Sequence, residues 1–181
     1  MFLSRRERNL WSLAAAVVAI IFLALFVGPA LVGAINETVM VVFFAVGMIL
    51  VAISVLTQGL QVRPAGIEAG VVLGVLAIFV LLAVRLTLPE RSHLLEFGVL
   101  TVLVYEALIE RNKHGHATNF PTVWTIFLCV SVGLIDEGLQ YVIPDRVFDT
   151  EDMVFNLLAV STAAIGMALL QRVRLKFANK S

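Results

Sequence analysis

The residues of this chain whose types could do chemistry gather between Asp136 and Asn156, in D-E-G-L-Q-Y-V-I-P-D-R-V-F-D-T-E-D-M-V-F-N. Asp136, Glu137 and Gln140 close one apolar stretch. Asp145, Arg146, Asp149 and Glu151 fill the turn after it, and Asp152 and Asn156 open the next. A second polar group, Glu90, Arg91, His93 and Glu96, opens the stretch before them. A charge inside a bilayer costs about 2.5–3.5 kcal/mol on insertion scales, so ionisable side chains in apolar segments mark functional sites by default. Helical spacing sorts these residues into pairs: His93 with Glu96, Asp136 and Glu137 each with Gln140, and Asp152 with Asn156. Each pair shares one helix face. Asp136 and Glu137 are about 100° apart around a helix. One is therefore expected to face a pocket, and the other to pair with Arg91 or Arg146 or to reach water.

Several chemistries fit these residue types. A pocket of carboxylates, imidazole and amides suits a cationic or hydrogen-bonding headgroup. Glu137 with His93 makes a sound acid–base pair, but no nucleophile motif accompanies them. His93, Glu96, Asp136 and Asp152 offer nitrogen and oxygen donors for a metal; one histidine among carboxylates argues against it, and no metal or other cofactor is expected. Arg146, just after Pro144, either clamps a phosphate with its forked guanidinium or pairs with Asp145 or Asp149. The bland alternative is a satisfied polar network that locks helices together, with Asp152 capping its helix and complementing the helix dipole.

The elements that position these groups are membrane helices. Of the 181 residues, 60% are hydrophobic and 14% charged, and the mean hydropathy is +0.99. Soluble domains run at about 45–50% apolar and about 25% charged. A net charge of zero gives no argument for nucleic acid, and a single cysteine, Cys129, excludes an internal disulfide framework. A span needs roughly 20 apolar residues. Six stretches qualify: 9–35, 38–60, 66–88, 92–110, 121–143 and 152–171. The fourth carries Glu96 and Glu106 and is expected to be shielded by the others. Pro29 is expected to bend the first or mark its end. The expected fold is therefore one all-α domain, 1–181, a polytopic bundle of about six transmembrane helices. Gly66, Gly70 and Gly74 recur every four residues and predict a close helix-packing stripe.

The loops orient the bundle. Arg5, Arg6, Arg8, Arg63, Arg111, Lys113, Arg172, Arg174, Lys176 and Lys180 share one side of a six-span chain, ten of its thirteen basic residues. The positive-inside rule puts that side, and both termini, in the cytoplasm. The polar groups of spans four, five and six then meet at the outer leaflet. Trp11 and Trp124 read as interfacial anchors, and His114 and His116 as loop residues.

The segments E-R-S-H-L-L-E-F-G-V-L (90–100), D-E-G-L-Q (136–140), P-D-R (144–146) and D-M-V-F-N (152–156) together resemble the VanZ-like family, over about 90–164. The family pattern has a His followed by an aromatic and a Leu, then D-E-x-x-Q, P-G-R and D-x-x-x-N. The chain departs from it with Leu139 in place of a common His, Asp145 in place of Gly, and Leu157, Leu158 and Ala159 in place of small residues. The three N-terminal spans, 1–89, carry no such motif. The resemblance implies a multi-pass protein of a bacterial-type plasma membrane, in a family whose founding member is associated with resistance to the glycopeptide antibiotic teicoplanin. It supplies no reaction. The leading expectation is a pocket of His93, Glu96, Asp136, Glu137, Gln140, Arg146, Asp152 and Asn156 that handles the headgroup of an envelope lipid or cell-wall precursor. The alternative is a non-catalytic accessory subunit of a larger membrane complex.

Overall fold

The computed structural model describes residues 2–34, 36, 39, 66–85, 88–116, 118–143 and 148–178. They form five helices: α1 (Arg5–Ala34), α2 (Gly66–Arg85), α3 (Leu88–Lys113), α4 (Pro121–Val142) and α5 (Thr150–Ala178). No strand occurs among the described residues. The span expected over 38–60 lies outside them, as does the turn 144–147 with Arg146. Among the described residues, three helices hold segments long and apolar enough to cross a membrane: Arg5–Phe26, Pro121–Val142 and Thr150–Lys176. The chain is an all-helical membrane protein. α1 runs on past Pro29, so that residue does not end the helix.

Local chemistry sets the helix starts and stops. At the head of α1 the Ser4 Oγ accepts from the Glu7 N–H at 2.9 Å, and the Glu7 carboxylate accepts from the Leu3 N–H at 2.7 Å. This reciprocal arrangement satisfies helix donors that have no partner within the helix. α3 begins with Pro89 in its first turn, where the missing N–H has no helical partner to lose. It ends through Gly115 at φ 87°, a conformation open to glycine. The Asn112 side chain then holds Thr118, accepting from its N–H at 2.6 Å. Pro121 starts α4. At the head of α5, the Asp149 Oδ1 accepts from the Glu151 N–H at 2.8 Å. Asp149 thus caps α5, and Asp152 lies in its first turn, where a negative charge complements the helix dipole.

α3 is the axis of the bundle, in contact with α1, α4 and α5. Leu94, Phe97, Leu100, Val104 and Ala107 of α3 are buried against Leu10, Ala14 and Ile21 of α1, Cys129 of α4, and Ala159 and Val160 of α5. The segment with the weakest hydropathy is therefore the one the other helices enclose, as its carboxylates require. Leu13, Leu23 and Phe26 of α1, Phe127 and Leu134 of α4, and Ile165 and Leu169 of α5 point outward and are exposed, the apolar surface a bilayer would cover. Hydroxyls in the helices bond back to the preceding turn, Thr101 to the Phe97 carbonyl at 2.6 Å and Thr125 to the Pro121 carbonyl at 2.9 Å. No donor is left open to lipid by these two residues.

Cross-contacts set helix direction. The head of α1 meets the tail of α3, where Arg6 pairs with Glu106 at 3.0 Å and Arg111 reaches Glu7 at 3.7 Å. Tyr105 donates to the Gln171 side chain at 2.6 Å, which brings the tail of α5 to the same end. His93, at the other end of α3, meets the tail of α4 and the head of α5. α3 therefore runs antiparallel to α1 and α4 and parallel to α5. Its two polar ends are about 25 Å apart along the axis at 1.5 Å per residue.

Among the described residues, glycine brings helices close at Gly98 and Gly166. A Cβ on Gly98 of α3 would lie 2.7 Å from the Phe79 ring, and one on Gly166 of α5 would lie 2.6 Å from a Val75 methyl. These two glycines seat α2. At Gly70 and Gly74 a Cβ would meet nothing within 4 Å among the described residues, and both are exposed. Gly166→Leu should therefore overpack the α2–α5 contact and cost about 1–3 kcal/mol. Gly70→Leu should stay within about 0.5 kcal/mol, as exposed sites do. Thermal unfolding of the two variants in detergent checks both values.

Candidate functional site

The end of the bundle away from the chain termini holds the polar cluster. His93 lies near the start of α3, where the helices on either side present carboxylates to its two ring nitrogens. Its Nδ1 is 3.9 Å from the Asp136 Oδ2 of α4, and its Nε2 is 3.9 Å from the Asp152 Oδ2 of α5. The ring stacks on Phe97 one turn along, with centroids 6.3 Å apart and planes 12° from parallel. This contact sets the plane in which the imidazole meets its neighbours.

Asp136 and Glu137 are both 1% exposed. Neither side chain turns to water, and Arg146 and the Arg91 side chain lie outside the described residues. Helix α4 packs on two helices at once, α3 and α5. Adjacent residues about 100° apart can then both face protein, Asp136 towards His93 of α3 and Glu137 towards Asp152 of α5. Gln140, one turn on and also buried, places its Nε2 at 3.4 Å from Asp136 and 3.5 Å from Glu137, a bridge at the long limit of hydrogen bonding. One ligand atom each from His93, Glu137 and Asp152 lie within 4.8 Å of one another. Glu96 is half-buried on the next turn of α3, near enough to Asp136 for their like charges to interact.

Beneath this cluster sits Asn156, 3% exposed, one turn after Asp152. Its Nδ2 lies against Gly133, one turn before Glu137, where a Cβ would come within 3.4 Å of it. Neither polar atom of the Asn156 side chain has a hydrogen-bond partner among the described residues. The same is true of the Glu137 Oε2 and the His93 Nδ1. Native interiors pair nearly all such groups, and each exception needs an account.

His93, Glu96, Asp136, Glu137, Gln140, Asp152 and Asn156 thus come together from three helices. Arg146 lies outside the described residues, and nothing further is assigned to it. Gly66, Gly70 and Gly74 sit on α2, away from the cluster. Three supporting residues escaped the sequence reading: Phe97 under the imidazole, Gly133 making room for Asn156, and Asp149 capping α5. Only the i, i+4 spacing of Gly133 to Glu137 and of His93 to Phe97 hints at them. His114 and His116 are exposed beyond α3, and the His114 ring meets the Glu110 carbonyl at 3.0 Å.

The order of these motifs along three packed helices is matched by a family-wide pattern, the VanZ/LLP1 family model, over residues 2–171. The chain belongs to the VanZ/LLP1 family. The match takes in α1 and α2 as well as the later half that carries the quoted motifs. Comparison with curated proteins and with solved structures gives no match. Within this VanZ/LLP1 chain, one departure from the motif pattern is structurally mild. Leu139 stands where a histidine is common, and it is 37% exposed on the outer face of α4, turned from the cluster. Leu157 and Leu158 are likewise exposed, while Ala159 is fully buried.

An unpartnered buried amide costs stability, and an apolar replacement of similar shape removes that cost. Asn156→Leu should therefore leave the purified protein as stable as the parent, within about 0.5 kcal/mol, or more stable. Thermal unfolding measures this. A fall of several degrees would mean that Asn156 is a satisfied structural amide.

Proposed function

We propose that this protein spans a bacterial-type plasma membrane six times with both termini in the cytoplasm, and that the cluster around His93 is a binding pocket at the outer leaflet. The orientation rests on charge. Arg5, Arg6, Arg8, Arg111, Lys113, Arg172, Arg174 and Lys176 belong to the end where α1 begins and α5 finishes, and basic residues stay on the cytoplasmic side.

The pocket takes a ligand that brings positive charge or hydrogen-bond donors, and the headgroup of an envelope lipid or cell-wall precursor answers that description. Glu137 carries this reading. It is 1% exposed, and its Oε2 has no hydrogen-bond partner among the described residues. A buried carboxylate oxygen left in that state is costly, and a ligand donor would remove the cost. Binding is the whole of the assignment. A nucleophile motif is absent from the sequence, and catalysis is not part of the proposal.

A second reading has one observation of its own. The face of α2 bearing Gly70 and Gly74 has no described atom against it, and small-residue faces suit helix–helix association. On that reading the protein is an accessory subunit of a membrane complex, and the acidic cluster only holds the bundle.

Native mass spectrometry of the protein extracted gently from its own membrane separates the two. The expected outcome is a bound lipid or precursor in the parent chain that is lost in Glu137→Gln, with the variant still monodisperse. A stoichiometric protein partner lost in Gly70→Leu, with no small ligand in either sample, would move the assignment to the accessory role.

A further inference from the structure

We infer that His93, Glu137 and Asp152 bind one divalent transition-metal ion, and that Asp136 orients the imidazole that holds it. The inference deepens the pocket reading and rests on this cluster being a ligand site. It names an inorganic occupant for the end of the pocket nearest His93.

The donor set is one imidazole and two carboxylates, each from a different helix, with ligand atoms within 4.8 Å of one another. Around a bound ion at 2.0–2.2 Å, the distances typical of nitrogen and oxygen ligands on zinc, the donors would sit roughly 3–4 Å apart. Closure of about 1 Å, within the reach of side-chain rotation, completes the site. A nitrogen with two carboxylate oxygens suits zinc or manganese better than an all-oxygen ion such as magnesium.

Two features beyond the acidic cluster point the same way. Metal-bound histidines usually give their second ring N–H to a carboxylate, which fixes the tautomer and the ring plane. Here Nε2 faces Asp152 while Nδ1 faces Asp136. The ring is thus placed for a metal on one nitrogen and an orienting carboxylate on the other. The Nδ1 is buried without a hydrogen bond, and closure onto the ion would draw it towards Asp136. The Glu137 Oε2 is also unpartnered, on a residue that is 1% exposed and directed into the same space. A metal gives that oxygen a ligand bond.

A metal also changes what the pocket can hold. Carboxylates alone repel a phosphate, whereas an ion with open coordination positions attracts phosphate or hydroxyl oxygens. A bound cation is often the largest local charge and inverts the local electrostatics.

The test uses the full chain purified in lipid-free detergent, stripped with a chelator and dialysed against micromolar zinc or manganese, with bound metal measured by mass spectrometry. The expected result is saturable binding of one ion per chain. Affinity should fall by about tenfold or more in each of His93→Gln, Glu137→Gln and Asp152→Asn, since even outer partners of a metal ligand act on that scale. Glu151→Gln, on the exposed side of the same helix, should bind as the parent does. The ion should also raise the thermal midpoint of the parent chain. Far-UV circular dichroism identifies any variant that has lost its helices. Such a variant is set aside, and the parent isotherm with the remaining variants decides. No saturable binding by the parent overturns the inference, as does binding that all three substitutions leave unchanged. Lipid is absent throughout, so failure here leaves the headgroup reading standing, and failure of the lipid measurement leaves this one standing.

Discussion

Helix α3 carries His93, Glu96, Glu106 and Glu110 along its length, and every one of them is too polar to face lipid. A single charge at the middle of a membrane helix costs about 2.5–3.5 kcal/mol on insertion scales, comparable with a large share of a domain's net stability of about 5–15 kcal/mol. The rest of the architecture answers this one constraint. α1, α4 and α5 wrap α3, bury its apolar residues, and turn their own leucines, isoleucines and phenylalanines outward. Close seating of α2 follows from the same need to cover α3 and α5, and it is glycine at 98 and 166 that allows the approach. The most hydrophobic helices are thus the shell, and the least hydrophobic is the core, the inverse of a soluble bundle.

The two ends of α3 resolve their buried charge differently. At one end basic side chains of α1 and of the α3 tail lie against Glu7, Glu106 and Glu110, and the Ser4 hydroxyl donates to Glu110 at 3.1 Å. That end is a clamp, and it explains why the first helix begins with basic residues around a buried glutamate. At the other end three helix termini bring carboxylates around one imidazole. His93 lies there between Asp136 and Asp152, with Glu137 and Gln140 beside them.

Membership of the VanZ/LLP1 family extends over nearly the whole chain, so the N-terminal helices belong to the same unit as the motif-bearing ones. The structure gives a reason for this. α1 contributes both the clamp on the tail of α3 and a wall of the core around its middle. The His93 cluster is held in place through α3, and α3 is held by α1. A site whose residues all come from the second half of the chain still depends on the first.

How much of this was legible in the sequence differs from residue to residue. Composition and apolar run length determined an all-helical membrane protein, because lipid leaves backbone groups no other partners than those of a helix or closed barrel. The positions of α3 and α4 followed to within a few residues, with Pro89, Gly115 and Pro121 at their ends, whereas α5 runs seven residues past the expected 171. The identity of the polar residues and their i, i+3 and i, i+4 spacing determined which of them share a face. Only tertiary structure decided what each face meets. Asp136 and Glu137 both turn inward because α4 lies in the groove between two helices, and no local spacing encodes that groove. Asp152 faces His93 from within the first turn of α5, while Asp149, just before that helix, accepts from the Glu151 N–H. Among the described residues, close contacts fall at Gly98 and Gly166, which no regular stripe marks. A glycine periodicity shows where two helices could approach, while the neighbour that takes up the space is chosen by the packing of the whole bundle.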